Sequence, residues 1–218
     1  FKLFKELLDL IDTSLDENLA RRYYGNSTLI SMAQRLYRNA VEQEKSDSER
    51  KQGFQERDQE RINNAIKRMD YSFDSRVDEA IFIDRLKNYR DLRKDLRRPD
   101  YSKNLLLDNN FEVTKKKVSS IYSSTFVTAD EMIKLKEMSL AKLNVSKDPL
   151  ISFVRSIYPE TLVYEKKYDE RNARRQLLKS NFITLLRKYY QSINKEIYAD
   201  ANGTLRATYG NVLGVELK

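Results

Sequence analysis

Residues 148–194 read DPLISFVRSIYPETLVYEKKYDERNARRQLLKSNFITLLRKYYQSIN, and helical pattern runs through them almost without a break. Asp148 followed by Pro149 is typical of a helix start, because aspartate caps free amide groups and proline fits the first turn. Apolar residues recur at helical spacing at both ends of the stretch: Leu150, Phe153, Val154, Ile157, Leu178, Phe182, Leu185, Leu186 and Tyr189. The pattern predicts a long helix, kinked at Pro159, whose charged middle (165–175) stands clear of the core.

The first part of the chain predicts further helices. Residues 1–12 are predicted as the end of one helix. Ser14 and Glu17 have the spacing of a capping box that opens a second, short helix ending at Tyr24. Ser27 is predicted to start a third helix, whose apolar stripe has a 3.6-residue period.

The region between residues 46 and 146 predicts four more helices. They are expected at about 54–70, from Asp74 to about 96, at 111–124, and from a capping box at Thr128. Residues 46–61 are almost wholly polar and predict an exposed connection, and Asp130 is expected to pair with Lys134. Tyr71 and Tyr158 are interpreted as packing residues. Short loops between long helices predict an all-α fold resembling an antiparallel helical bundle, with a short C-terminal β segment.

That β segment is predicted at 200–214, which read DANGTLRATYGNVLG. Three of the five glycines of the chain lie in it, and Leu205, Ala207 and Tyr209 alternate with polar residues. This period of two predicts a strand, and a strand needs a sheet that no other stretch offers. We therefore expect two units: a helical domain (1–197) and the incomplete start of a β-domain (198–218). The start at Phe1, with no signal peptide, fits a piece of a larger protein.

Composition excludes several kinds of site. The chain has no histidine and no cysteine, so neither a Ser-His-Asp site nor a His/Cys zinc site can be assembled from it alone. We predict no catalytic residue, metal or cofactor in this chain. No segment approaches the roughly 20 apolar residues of a membrane span. A run of acids could hold a catalytic pair but is expected to be solvated: Glu42, Glu44, Asp47, Glu49, Glu56, Asp58 and Glu60.

The net charge of +8 raises the question of a polyanionic partner. Residues 85–98 hold seven Arg or Lys against two Asp, with Tyr89 as the only aromatic nearby. Binders of single-stranded nucleic acid interleave several aromatic residues, so we interpret this run as a solvated helix face. Tyr23 and Tyr24, like Tyr189 and Tyr190, could line the edge of a peptide-binding cleft or simply pack.

The terminal segment resembles a signature of bacterial serine dipeptidyl-peptidases of the dipeptidyl-peptidase 7 and 11 type. The residues that carry this junction signature are Asp200, Asn202, Thr204, Arg206, Tyr209 and Gly210, followed by Val212 and Gly214. Upstream stretches agree in order: residues 33–37, 53–58, 76–80, 146–150 and 158–159. The resemblance therefore covers most of the chain.

The resemblance implies a chymotrypsin-like double β-barrel with a helical domain inserted between the barrels. This chain would be most of that insertion plus the first strand of the second barrel, while the family's catalytic His, Asp and Ser lie outside it. Peptide substrate would bind through the barrels, and the parental protein could form a homodimer. The parental protein would be periplasmic, cell-surface or secreted.

We therefore expect a helical cap that shapes and closes the cleft of an exopeptidase releasing dipeptides from peptide N termini. The chain alone is expected to be inactive. Asp200 and Arg206 could tie the returning strand to the rest of the protein. The alternative is a basic helical module that binds nucleic acid or a partner protein, for which salt-dependent binding would be the mark.

Overall fold

The computed structural model describes residues 2–24 and 27–195, and these form nine α-helices and no strand. The helices are α1 (Lys2–Tyr24), α2 (Thr28–Gln43), α3 (Gln59–Asp70), α4 (Ser75–Arg90), α5 (Pro99–Leu105), α6 (Phe111–Tyr122), α7 (Ala129–Glu137), α8 (Leu140–Val145) and α9 (Pro149–Ser192). Short 3₁₀ turns occur at Asp47–Glu49, Glu56–Asp58 and Lys94–Leu96. The all-α prediction is confirmed for these residues. The predicted C-terminal strand and the junction signature Asp200–Gly210 lie outside them.

Helix α9 organises the fold, because α1, α2, α5 and α6 all pack against it. In its first part, apolar residues recur at helical spacing and are buried; Leu150, Val154 and Ile157 have no exposed surface. They belong to one buried apolar cluster with residues of the other helices, among them Leu29, Leu36, Ile62, Phe82 and Met132. Burial of this apolar surface is the main force that holds the helices together.

Four helix starts predicted from the sequence are confirmed. The side chains of Ser27, Asp74, Thr128 and Asp148 each accept a hydrogen bond from an amide of the first helical turn. The predicted break near Ser14 is wrong. Helix α1 runs through it, and the Ser14 hydroxyl donates to the Leu10 carbonyl at 2.7 Å instead of capping a new helix. Because this hydroxyl forms its hydrogen bond within the helix, it does not cap a new helix, and α1 continues through Ser14.

Other boundaries also differ from the predictions. Helix α3 starts at Gln59 rather than near 54, and α4 ends at Arg90 rather than near 96. After α4 the chain folds back, and the backbone amide of Arg98 donates to the Tyr89 hydroxyl at 2.7 Å. Pro99 then opens α5, a helix that was not predicted, as its first residue. The short helix α8 was not predicted either.

Buried carboxylates of one helix satisfy the free amides at the start of another. Asp78 of α4 accepts from the Thr28 amide at 2.9 Å, from the Ser27 hydroxyl at 3.0 Å and from the Tyr122 hydroxyl at 2.5 Å. It therefore joins α4, α6 and the start of α2. Glu160 of α9 does the same for α5, accepting from the Asp100 and Tyr101 amides at 3.0 and 3.1 Å.

Two side chains, Tyr71 and Glu42, have environments that differ from the predictions, and one, Tyr158, is as predicted. Tyr71 is 90% exposed and does not pack, because it follows α3 at a turn, whereas Tyr158 does pack, 5.0 Å from the Tyr37 ring. Glu42 was predicted to be solvated but has no exposed surface. It forms ion pairs with Arg38 and Lys45 and accepts from the Lys51 amide. It thus holds the polar connection after α2 in place.

The second half of α9 is much less covered than the first. Its charged middle contacts α1 through the ion pairs Arg171–Glu17 and Arg174–Glu6. Beyond it, Leu178 is buried at 2% exposure, whereas Phe182, Leu185 and Tyr189 are 37%, 55% and 61% exposed. The apolar spacing predicted from the sequence is therefore present, but most of this stripe is uncovered.

Candidate functional site

A cleft of about 540 Å³ lies between α1, α2 and α9. We call it the cleft. Helix α1 contributes Glu17, Asn18, Ala20, Arg21 and Tyr24; α2 contributes Ser31 and Gln34; α9 contributes Thr161, Tyr164, Glu165, Tyr168, Asp169 and Arg171; Lys51, Leu96 and Arg98 complete it. Its lining therefore combines three tyrosine rings with charges of both signs.

The base of the cleft is built around Arg98, which is only 4% exposed. Its guanidinium carbon lies 5.2 Å from the ring centre of Tyr24 and 5.1 Å from that of Tyr164, within the range of cation–π attraction. Its Nη2 donates to the Thr161 hydroxyl at 2.8 Å, and its Nε lies 3.2 Å from Oε2 of Glu160. Arg98 is thus matched by a buried carboxylate, a hydroxyl and aromatic faces.

Behind Arg98, three tyrosines form a packed cluster. The rings of Tyr24, Tyr89 and Tyr101 lie 5.7 Å apart in each pairing. Burial raises the pKa of the Tyr89 and Tyr101 hydroxyls above their ordinary value, and burial together with the nearby Glu160 charge raises that of Tyr164. These hydroxyls are therefore neutral hydrogen-bonding groups at physiological pH and do not act as bases.

Charged side chains surround the mouth of the cleft. Glu165 pairs with Lys51 and lies 3.4 Å from Nη1 of Arg38, while Glu17 pairs with Arg171. Tyr168 stands beside them and is 47% exposed. The arrangement can stack against, and hydrogen-bond to, a polar ligand such as a peptide.

Because the whole sequence has no histidine, the hydroxyls of the cleft cannot form a Ser-His-Asp site with a general base from this chain alone. Thr161, which lines the cleft, already donates to the Ile157 carbonyl at 3.0 Å and accepts from Arg98. Within the described ranges, no three acidic side chains meet in a way that could hold a metal ion. None of the described helices is both long and apolar enough to cross a bilayer.

The two predicted cleft residues have different positions. Tyr24 lines the cleft, whereas Tyr23 is partly buried against the core and is not part of the lining. Tyr189 and Tyr190 contact each other on the uncovered half of α9, where their ring centres lie 5.7 Å apart. Arg98, Tyr164 and Tyr168 were not predicted, although the i, i+4 spacing of the two tyrosines was visible in the sequence.

The basic run 85–98 is not a uniformly solvated face. Arg97 and Arg98 are buried, and Lys87, Arg90 and Arg93 pair with Asp84, Asp91 and Asp95. Lys134 likewise pairs with Glu131 rather than with the predicted Asp130. Most of the positive charges of this run are therefore buried or paired with a nearby carboxylate.

Comparisons with known proteins point to one family. The sequence profile described as Peptidase S46 matches residues 2–218. A protein of Shewanella putrefaciens named Asp/Glu-specific dipeptidyl-peptidase is 33% identical over 205 residues, which are 89% of this chain and 27% of that protein. A protein of the same name from Capnocytophaga gingivalis is 27% identical over 223 residues, 98% of this chain and 28% of that protein. The chain thus spans a little over a quarter of the length of these relatives.

Proposed function

This chain belongs to the peptidase S46 family, and from that premise we propose that it is the helical cap of a serine exopeptidase that releases dipeptides from peptide N termini. In this proposal the cap shapes and closes the substrate cleft and supplies no catalytic residue. The observation that carries it is the combination of a family match over residues 2–218 with a helical fold whose sequence has no histidine. A Ser-His-Asp mechanism then needs residues from elsewhere in the polypeptide.

The uncovered apolar stripes support a role as part of a larger assembly. On α1, Phe4, Ile11 and Leu15 are 52%, 44% and 61% exposed, and on α9 Ile183 and Leu185 are 60% and 55% exposed. Apolar side chains clustered on a surface in this way are typical of an interface. We infer that these faces of α1 and α9 pack against the peptidase domains.

The cleft supports a role in selecting substrates. Tyr24, Tyr164 and Tyr168 offer aromatic faces and hydroxyls, which suit the backbone and side chains of a short peptide. Closing over a peptide end admits only a short stretch of chain, so selection works through exclusion rather than chemistry. Tyr23 would support the cleft wall from behind.

The remaining parts of the proposal concern the C-terminal segment and the location. Residues 198–218 would return to the second β-barrel, with Asp200, Asn202, Thr204, Arg206, Tyr209 and Gly210 at the junction. The protein would act in the periplasm or at the cell surface, where extracellular peptides are available.

The first test compares the 218-residue chain with a full-length S46 polypeptide that contains this segment, using chromogenic dipeptidyl substrates. The chain alone should show no hydrolysis. The full-length protein should be active and should lose activity when the serine of its peptidase domain is replaced by alanine. Hydrolysis by the isolated chain would refute the proposal that catalysis comes from other residues.

The second test examines the cleft in the full-length protein. Tyr168→Ala should raise KM for peptides without lowering kcat to the same extent, because it removes binding surface and no catalytic group. The matched control is Tyr71→Ala, since Tyr71 is 90% exposed and lies outside the cleft lining. Equal effects of the two substitutions would argue against a substrate-binding role for the cleft.

A further inference from the structure

A second pocket, of about 390 Å³, lies where the chain enters and leaves α5. We call it the Arg97 pocket; its lining includes Lys94, Arg97, Ser102, Lys103, Leu107 and Asp108. It shares no lining residue with the cleft. Three of its lining side chains are cations and one is an anion, so the local charge favours a negatively charged ligand.

The buried cation of this pocket has fewer partners than its neighbour in sequence. Arg98 has the buried carboxylate of Glu160 as its counter-charge. Arg97 is also buried, at 7% exposure, but its ion-pair partner Asp108 is 69% exposed. Nη1 of Arg97 donates to Oδ1 of Asp108 at 3.0 Å, and its Nε, like that of Arg98, is buried and has no hydrogen-bond partner among the described residues. A buried guanidinium is costly unless its charge and its donors are matched, so Arg97 retains the capacity to bind an anion.

Two further features add to this capacity. The Ser102 side chain is 7% exposed, and its hydroxyl has no hydrogen-bond partner among the described residues. Lys94 and Lys103 are exposed at the pocket and form no ion pair within the described part of the chain. The pocket thus combines a guanidinium with two ammonium groups that have no ion-pair partner among the described residues, and the Ser102 hydroxyl is buried in its lining.

We propose that the Arg97 pocket binds a small oxyanion, a carboxylate or a phosphate group. A planar guanidinium donates two parallel hydrogen bonds to either group, and lysine adds a point charge. The carboxylate of Asp108 already illustrates this chemistry, since it is the group that Arg97 holds. Because Asp108 is largely exposed, it can swing into water when an external oxyanion takes its place. This inference does not depend on the proposed peptidase role.

The test is titration of the 218-residue chain with inorganic phosphate in one arm and with glutarate in the other. Binding is followed by calorimetry and by the NMR signal of the Arg97 Nε–H group, with sodium chloride at matched ionic strength as the reference. We expect saturable binding in at least one arm together with a shift of the Arg97 signal. The tighter arm identifies the ligand as a phosphate or a carboxylate.

Three variants test which residues carry the binding. Lys103→Gln should weaken it about two- to fivefold, because one exposed ion pair is lost. Arg97→Gln should weaken it at least about tenfold, since charge-assisted hydrogen bonds are lost. Asp108→Asn should strengthen it, because the internal competitor loses its charge. Lys116→Gln, which removes the same charge from an exposed site outside the pocket, is the control and should leave the affinity unchanged.

Two results would overturn the proposal. One is the absence of saturable binding above the chloride reference in both arms. The other is an equal effect of Lys103→Gln and Lys116→Gln, which would show general charge attraction rather than a site. The exposed position of Lys103 keeps this comparison valid even if Arg97→Gln fails to fold.

Discussion

The Nε atom of Arg98 lies 3.2 Å from Oε2 of Glu160, and the two side chains are only 5% and 7% exposed. Glu160 also accepts from two amides at the start of α5. One carboxylate of α9 thus neutralises a buried guanidinium and caps a neighbouring helix.

The first prediction concerns this pair. Glu160→Gln should lower the free energy of unfolding by about 3–5 kcal/mol, because it leaves a buried guanidinium without a counter-charge. Urea denaturation followed by circular dichroism measures the loss. Glu170→Gln, on the same helix at a 66% exposed side chain, is the control and should change stability by less than about 0.5 kcal/mol. Similar losses in the two variants would show that the Arg98–Glu160 pair contributes no more to stability than an exposed carboxylate does.

The second prediction concerns the start of α2. Asp78→Asn should lower the free energy of unfolding by about 1–3 kcal/mol, because it weakens the hydrogen bonds from Ser27, Tyr122 and the Thr28 amide. Hydrogen exchange of the Thr28 and Leu29 amides should accelerate more than exchange in α9. Asp84→Asn, an exposed change on the same helix, is the control and should leave these amides protected. Unchanged exchange in Asp78→Asn would contradict the role of Asp78 in holding the start of α2.

The third prediction concerns acid stability. Burial alone would raise the pKa of Glu42, but hydrogen bonds from Lys45 and the Lys51 amide and the charges of Arg38 and Lys45 lower it below its ordinary value of 4.5. A folded-state pKa below the unfolded one means that ionised Glu42 contributes stability above about pH 4.5, and that this contribution disappears as the pH falls through the folded-state pKa.

Unfolding free energies measured between neutral pH and pH 3 test this. Glu42→Gln should be less stable than the parent chain at neutral pH and should lose less stability on acidification. Glu44→Gln, an exposed neighbour, should retain the parental pH dependence. Parallel pH profiles for the parent chain and Glu42→Gln would contradict the prediction.

The fourth prediction concerns the packing of α9 on α1. Arg171, Arg174 and Leu178 share one face of α9, and both arginines pair with acids of α1, so Leu178 faces α1. Leu178→Ala should cost about 2–5 kcal/mol, because Leu178 is 2% exposed and its loss leaves a cavity. Leu177→Ala, at 51% exposure, should cost far less. Thermal unfolding of the two variants gives the comparison, and equal costs would mean that α9 does not pack there.

The fifth prediction concerns nucleic acid. Most of the basic residues in 85–98 are buried or ion-paired, so the chain should show little retention on single- or double-stranded DNA at physiological salt. Elution from immobilised DNA over a salt gradient measures this. Tight binding that falls steeply with salt would instead support the alternative of a nucleic-acid module.

Several helix starts were predictable because they depend on contacts within a few residues. Ser27, Asp74, Thr128 and Asp148 each cap the helix that immediately follows, so residue type and spacing carry the information. Helix ends were less predictable. Helix α5 ends at Leu105, and the next residue, Leu106, adopts φ 59°, a conformation that usually marks glycine. A leucine at this position gives no sequence signal for the end.

The candidate site was only partly predictable. Tyr24 was recognised as a possible cleft residue because tyrosine offers both apolar area and a hydroxyl, whereas Arg98 was interpreted as one more solvated cation of a basic run. Nothing near Arg98 in the sequence indicates its environment, since Thr161, to which it donates, lies 63 positions away. Glu42 was misjudged for the same reason: its neighbours in sequence are polar, but helix packing buries it.

By itself the sequence determined the helical class, most of the helix starts and the absence of histidine from this chain, because periodicity, capping and composition depend on residue identity and short spacings. Only the tertiary structure decided which charges are buried, which apolar faces stay uncovered and which residues form the cleft and the Arg97 pocket. Burial depends on what packs against a residue from distant parts of the chain, and no local pattern specifies that.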